Sequence, residues 1–100
     1  MAFYHNISGE QTKALMLVGE NNKVSTVTIA NVHDDTACSV DLYIEKIATG
    51  RFYYFKGLVI PPFVSFKQDV SFNNSVSGFG LFVKLTKTAS ETPAVDIIIR

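Results

Sequence analysis

Apolar and polar residues alternate with a period of two along most of this chain. The clearest run covers 38–45, where Cys38, Val40, Leu42 and Ile44 alternate with Ser39, Asp41, Tyr43 and Glu45. Side chains of a strand point to opposite faces in turn, so this run predicts a central strand with its even-numbered residues in the core. A second run covers 24–32, with Val27, Ile29 and Asn31 on one side and Thr26, Thr28, Ala30 and Val32 on the other. Its Thr and Val content suits a pleated, half-buried surface. In 79–86, Phe79, Leu81, Val83 and Leu85 alternate with Gly80, Phe82, Lys84 and Thr86. A last strand places Val95, Ile97 and Ile99 against Asp96, Ile98 and Arg100.

Three further segments are less regular. The apolar run 13–18 is short and is followed by Gly19-Glu20-Asn21-Asn22, which favours a strand over a helix turn. Phe52-Tyr53-Tyr54-Phe55 places two aromatics on each face of a strand, so one pair enters the core and the other needs a cover. Tyr53 and Phe55 are read as the outward pair. Leu58-Val59-Ile60 extends this strand until Pro61-Pro62, which lack the N–H a ladder needs. In 63–72, Val64, Phe66, Val70 and Phe72 share one parity, interrupted by Gln68.

Turns fall at His33-Asp34-Asp35-Thr36, where Asp side chains are expected to cap nearby N–H groups, at Ala48 to Arg51, and at Asn73-Asn74-Ser75 with Gly78; 88–93 reads as a polar loop. No segment has the periodicity of an amphipathic helix. Seven to eight short strands spaced in this way predict an all-β protein: a single antiparallel β-sandwich, Ig-like or jelly-roll in strand order. Residues 1–12 begin aromatic and turn polar, and are expected to form an N-terminal arm leading into a sandwich domain over 13–100. Phe3 and Tyr4 on that arm are costly to leave in water and invite docking.

Composition adds a surplus of apolar surface. One hundred residues make one domain, which by size scaling should expose roughly 5,600 Å² when folded. The chain is 47% hydrophobic and carries eight Phe and four Tyr, more than so small a core easily hides. The surplus points to surface committed to other chains, with a β-rich core as the alternative sink. Net charge is zero at pH 7 and the signs are interleaved, which speaks against nucleic acid as a partner and favours association. A single cysteine, Cys38, excludes an internal disulfide framework and falls on a core parity. The first residues lack a basic and then apolar leader pattern, and no run reaches 18 apolar residues. The expectation is therefore synthesis in a reducing cytoplasm, without a membrane partner.

Chemistry-bearing clusters are weak. His33-Asp34-Asp35 with Cys38 nearby could hold an ion, but a solvated turn is the commoner use of such a group. No Gly-x-Ser-x-Gly elbow occurs, and Gly78-Phe79-Gly80 lacks the length and the Lys of a phosphate loop. No catalytic, cofactor-binding or metal-ligating residue is assigned, and a non-enzyme is expected. The residues singled out are interface candidates: Phe3, Tyr4, Tyr43, Tyr53, Phe55, Phe63 and Ile98.

One ordered set of segments carries a resemblance. It runs Val27-Thr28-Ile29-Ala30-Asn31, Ser39-Val40-Asp41-Leu42-Tyr43-Ile44, Phe52-Tyr53-Tyr54-Phe55, Leu58-Val59-Ile60-Pro61, Leu81-Phe82-Val83-Lys84-Leu85-Thr86 and Val95-Asp96-Ile97-Ile98-Ile99. The set resembles the small β-sandwich virion proteins of tailed bacteriophages, in which an I-x-N strand precedes a V-D-L-Y-I strand and an I-P-x-G turn follows. This chain departs at the turn, where Phe63 stands in place of the glycine after Ile60-Pro61-Pro62. The resemblance implies a virion structural subunit, assembled in the host cytoplasm as a homo-oligomer (a trimer or hexamer) with capsid or tail proteins as partners. Capsid decoration is the first expectation and a neck, tail or baseplate position the alternative. From a different class, a carbohydrate- or ligand-binding sandwich would use Tyr43 and Tyr53 as stacking platforms.

Overall fold

A computed structural model describes residues 3–16, 23–46, 49–73, 79–88 and 92–100. Eight strands follow in chain order: β1 (Phe3–Ser8), β2 (Gln11–Met16), β3 (Lys23–Asn31), β4 (Cys38–Lys46), β5 (Gly50–Ile60), β6 (Ser65–Asn73), β7 (Gly80–Lys87) and β8 (Ala94–Ile99). They pair antiparallel in two four-stranded sheets, ordered β1-β8-β3-β6 and β2-β7-β4-β5. This is a β-sandwich with the strand order of a jelly roll; an immunoglobulin-type order would group its strands differently. The folded surface is 5557 Å², close to the size-scaling expectation. The turn expected at 19–22 lies outside the described residues, as do 74–78 and 89–91 of the later turns.

The period-two pattern becomes the core directly. Val40 and Leu42 of β4, Val27 and Ile29 of β3, Leu81, Val83 and Leu85 of β7, and Val95, Ile97 and Ile99 of β8 are all buried between the sheets. Cys38 belongs to the same cluster, and burial raises its thiol above the ordinary range, so it behaves as a small hydrophobe.

Two features differ from the pattern. Residues 3–8 are not an arm: β1 pairs along its whole length with β8, from Phe3 opposite Ile99 to Ser8 opposite Ala94. Its inward parity is Phe3, His5 and Ile7, and Ile7 is buried in the core. Residues 11 and 12 likewise open β2. A histidine on the inward parity hides the alternation. The second difference is the parity of β5. Tyr43 faces Tyr53 while Leu42 faces Phe55, so Tyr54 is an extra residue, a β-bulge. The bulge turns Tyr54 and Phe55 both toward the core. A second irregularity opposite Asp41 places Gly57 at a φ of 70°, and the Asp41 carboxylate accepts the Gly57 N–H at 2.7 Å. The four aromatics therefore do not alternate: Phe52 and Tyr53 are exposed, while Tyr54 and Phe55 pack against the core.

Candidate interaction surface

One end of the sandwich gathers the β1–β2 turn, the β3–β4 loop, the β5–β6 turn and the approach to β8. Asn31, only 1% exposed, knots the β3–β4 loop and the β5–β6 turn together. Its side-chain amide donates to the carbonyls of Thr36 (3.0 Å) and Ile60 (2.8 Å), and its oxygen accepts the His33 N–H (3.0 Å). Its backbone exchanges bonds with the β5–β6 turn: Asn31 N–H to Val64 O at 3.0 Å, and Phe63 N–H to Asn31 O at 2.9 Å. This buried polar group sits on a core parity because its hydrogen-bonding capacity is filled there. The loop beyond is capped differently from expectation. His33 Nδ1 accepts the N–H groups of Asp35 and Thr36, both at 3.2 Å, so the imidazole does the work assigned to the aspartates. Among the described residues no group of three or more His, Cys, Asp and Glu side chains is placed to hold a metal ion.

The β5–β6 turn is Pro61-Pro62-Phe63-Val64, closed by the Val64 N–H bonding Pro61 O at 3.2 Å. Proline at the second position and a positive φ at the third are the type II pattern, and that third position ordinarily needs glycine. Here it is Phe63, at φ 64° and 73% exposed. The site at which the resembled pattern has glycine thus keeps its left-handed geometry while carrying an aromatic ring into solvent. Val32, Val59 and Val64, near the same end of the sandwich, are exposed too, at 44%, 55% and 45%. Beside them lies an open hollow of about 80 Å³, lined by Leu58, Val59, Ile60, Pro61, Val64, Ser65 and Phe66. It sits where the edge strands β5 and β6 diverge. Farther along, the same seam is closed by the Tyr54 hydroxyl donating to Val70 O (2.9 Å) and by edge-to-face packing of Phe55 on Phe66, with centroids 5.3 Å apart.

The other interface candidates fall into three places. Phe3 and Phe55 are partly buried and pack against the core. Tyr4, 67% exposed, and the half-buried Ile98 are cross-strand partners on the outer face of the β1-β8-β3-β6 sheet. Tyr43 and Tyr53 meet on the outer face of the other sheet, in a row with Phe82 (centroids 5.1 and 5.6 Å from Tyr43). Tyr43 is nevertheless only 2% exposed, because the Arg51 guanidinium lies 4.8 Å over its ring and is itself held by Glu45 at 2.5 Å. Burial raises the Tyr43 phenol pKa, with Arg51 opposing the shift. As a stacking platform this leaves Tyr53 alone, and Lys56 lies 5.2 Å over its ring. Gly80 completes the row, because a Cβ there would meet the Phe82 ring at 2.9 Å and Met16 O at 3.1 Å. Sequence reasoning missed Val32, Val59 and Val64. The signal available was the Pro61-Pro62 break, which forces the strand off its sheet while Val59 and Val64 flank it.

Comparison with known proteins supports the fold class. No known family model and no curated protein matches the chain. Among solved structures, PirA superposes with a TM-score of 0.59 at 13% identity, covering 99% of this chain and 93% of PirA. The Yersinia pseudotuberculosis-derived mitogen superposes with a TM-score of 0.56 at 11% identity, covering 99% of this chain and 82% of the mitogen. At such identities the likeness is one of fold.

Proposed function

We propose that this chain is a non-enzymatic structural subunit of a tailed-bacteriophage virion, a capsid decoration subunit in the first place, with a neck, tail or baseplate position as the alternative. The sequence resemblance supplies the class. The observation that carries the reading is Phe63: an exposed aromatic held at a glycine position, at the head of an apolar patch. Backbone strain of this sort persists where the surrounding structure enforces it and clusters at sites of function. An aromatic anchor ringed by aliphatic side chains suits burial in a partner. No residue pair in the patch has the groups for acid–base or nucleophilic chemistry.

The test is composition of purified particles. Phage particles from a culture carrying the gene are banded by density, and an antibody against this chain is used to count copies per particle. Recovery in a fixed number of copies, tens or hundreds for a capsid lattice and six or twelve for a neck or tail ring, supports the reading. Confinement of the chain to the particle-free fraction refutes it.

A further inference from the structure

One lateral seam of the sandwich is closed by two basic side chains. β1 and β2 are edge strands of their respective sheets and are joined through Gly9-Glu10. His5 lies on the inward parity of β1, opposite the buried Ile97 of β8. Lys13 lies on the inward parity of β2, opposite the buried Val83 of β7. The two are near enough for the ammonium to act on the imidazole. His5 Nε2 is buried and has no hydrogen-bond partner among the described residues. No carboxylate on β1, β2 or β8 answers this pair. The one charged side chain of β8, Asp96, is on the outer parity and accepts the Asn6 amide at 2.6 Å. Glu10, in the turn, is taken by Lys87, whose N–H it accepts at 3.0 Å and whose ammonium lies 4.0 Å away.

With His5 neutral the seam holds one cation. Protonation adds a second without a counter-charge, in a place where water screens poorly and like charges repel more than at the surface. β1 is the element free to yield. In its sheet it is bonded to β8 alone, and only Ile7 and the half-buried Phe3 anchor it in the core. The chain just beyond is held by the Glu10–Lys87 contact, and Gly9 between them, at φ 86°, is a natural swivel. We infer that acid releases β1 from β8 as a unit, turning about Gly9, and that proton uptake by His5 opposite Lys13 drives the release. The direction follows from linkage. Burial, with Lys13 adding to it, holds the docked imidazole below its ordinary pKa of 6.5, and the released one regains that value. The open form therefore gains population as pH falls through 6.5, by at most about thirtyfold at pH 5.

Native-state amide exchange by NMR tests this independently of any virion role. Rates are taken at about pH 7.5 and pH 5, in urea below the unfolding range, and divided by those of an unstructured peptide at the same pH. Amides of β1 bonded to β8 should exchange through an opening that urea scarcely promotes. Amides of β4 and β7 should instead follow the steeply urea-dependent global unfolding. Between the two pH values the β1 opening should become about three to thirty times more populated. His5→Phe should keep the opening and abolish its pH dependence. Lys13→Gln removes the facing cation and should make that dependence smaller. The inference is overturned if β1 amides share the urea slope of β4 and β7. It is equally overturned if the wild-type opening changes less than threefold, or if its pH dependence survives His5→Phe.

Discussion

The Phe63 turn reverses a familiar order of stabilities. At most exposed positions alanine is more stabilising than glycine, because glycine leaves the unfolded chain more freedom, a difference of about 0.4–1 kcal/mol. At φ 64° any residue with a Cβ is held in the left-handed region at a cost of about 1–2 kcal/mol, which glycine does not incur. The pair Phe63→Ala and Phe63→Gly removes the same ring in both cases and isolates these two terms. Glycine should exceed alanine by about 0.5–1 kcal/mol, equivalent to roughly 2–8 °C in Tm for a domain this small. Against wild type, Phe63→Gly should be neutral to within about 1 kcal/mol. Relief of strain offsets both the added chain entropy and the loss of the quarter of Phe63 that is covered, itself about 1 kcal/mol. The assay is urea denaturation followed by circular dichroism, at concentrations low enough to keep the chain monomeric. Ser65→Ala and Ser65→Gly serve as a control pair at a strand position outside the positive-φ set, where alanine should win. If alanine equals or exceeds glycine at 63, the left-handed turn is wrong and the argument that Phe63 is held at a cost fails with it.

Three more outcomes follow from the geometry. Asn31→Ala removes the side-chain bonds to the carbonyls of Thr36 and Ile60 and to the N–H of His33, and should cost about 2–4 kcal/mol in the same denaturation assay. His5 has a buried Nε2 without a partner, and burial, with Lys13 adding to it, lowers its pKa below the ordinary 6.5. The unfolded chain then binds a proton that the folded chain resists, so stability should fall as pH drops below 6.5 and level off once folded His5 also titrates; His5→Phe should remove that slope. Gly80→Ala should cost about 1–3 kcal/mol through contact with Phe82 and Met16 O, and Phe82→Ala in the same chain should recover part of it, read as a double-mutant coupling.

Much of this fold is legible in the sequence because β3 from Thr26 onward, β4, β7 and β8 keep their apolar residues on one parity in the core, and alternation is what a two-layer core requires. The rest is set by residues that break the alternation for reasons the sequence does not display. His5 puts an imidazole on the inward parity of β1, which therefore reads as an arm. Tyr54 bulges out of register and carries Phe55 into the core beside it. Tyr43 reads as an outward aromatic, and is one, but its cover comes from Arg51 on the neighbouring strand. The candidate surface was half visible. Phe63 stands out as an aromatic in a glycine's place, flanked in sequence by Val59 and Val64, yet Val32 comes to the same end only because the loop after β3 and the turn after β5 are tied to one another by Asn31.

The position of β8 bears on how the molecule is made. This strand leaves the ribosome after the other seven, yet it lies inside its sheet, between β1 and β3. Until residues 94–99 emerge, β1 has no strand to pair with and β3 lacks a neighbour on one side. The β3–β6 pair and the β2-β7-β4-β5 sheet can assemble earlier, leaving a gap in the first sheet where Val95, Ile97 and Ile99 of β8 complete the core. Closure depends on contacts between distant parts of the chain, which makes folding slow for its size. The nascent protein therefore passes through an interval with an open sheet and exposed aliphatic residues, and it is in that interval that it is most prone to aggregate.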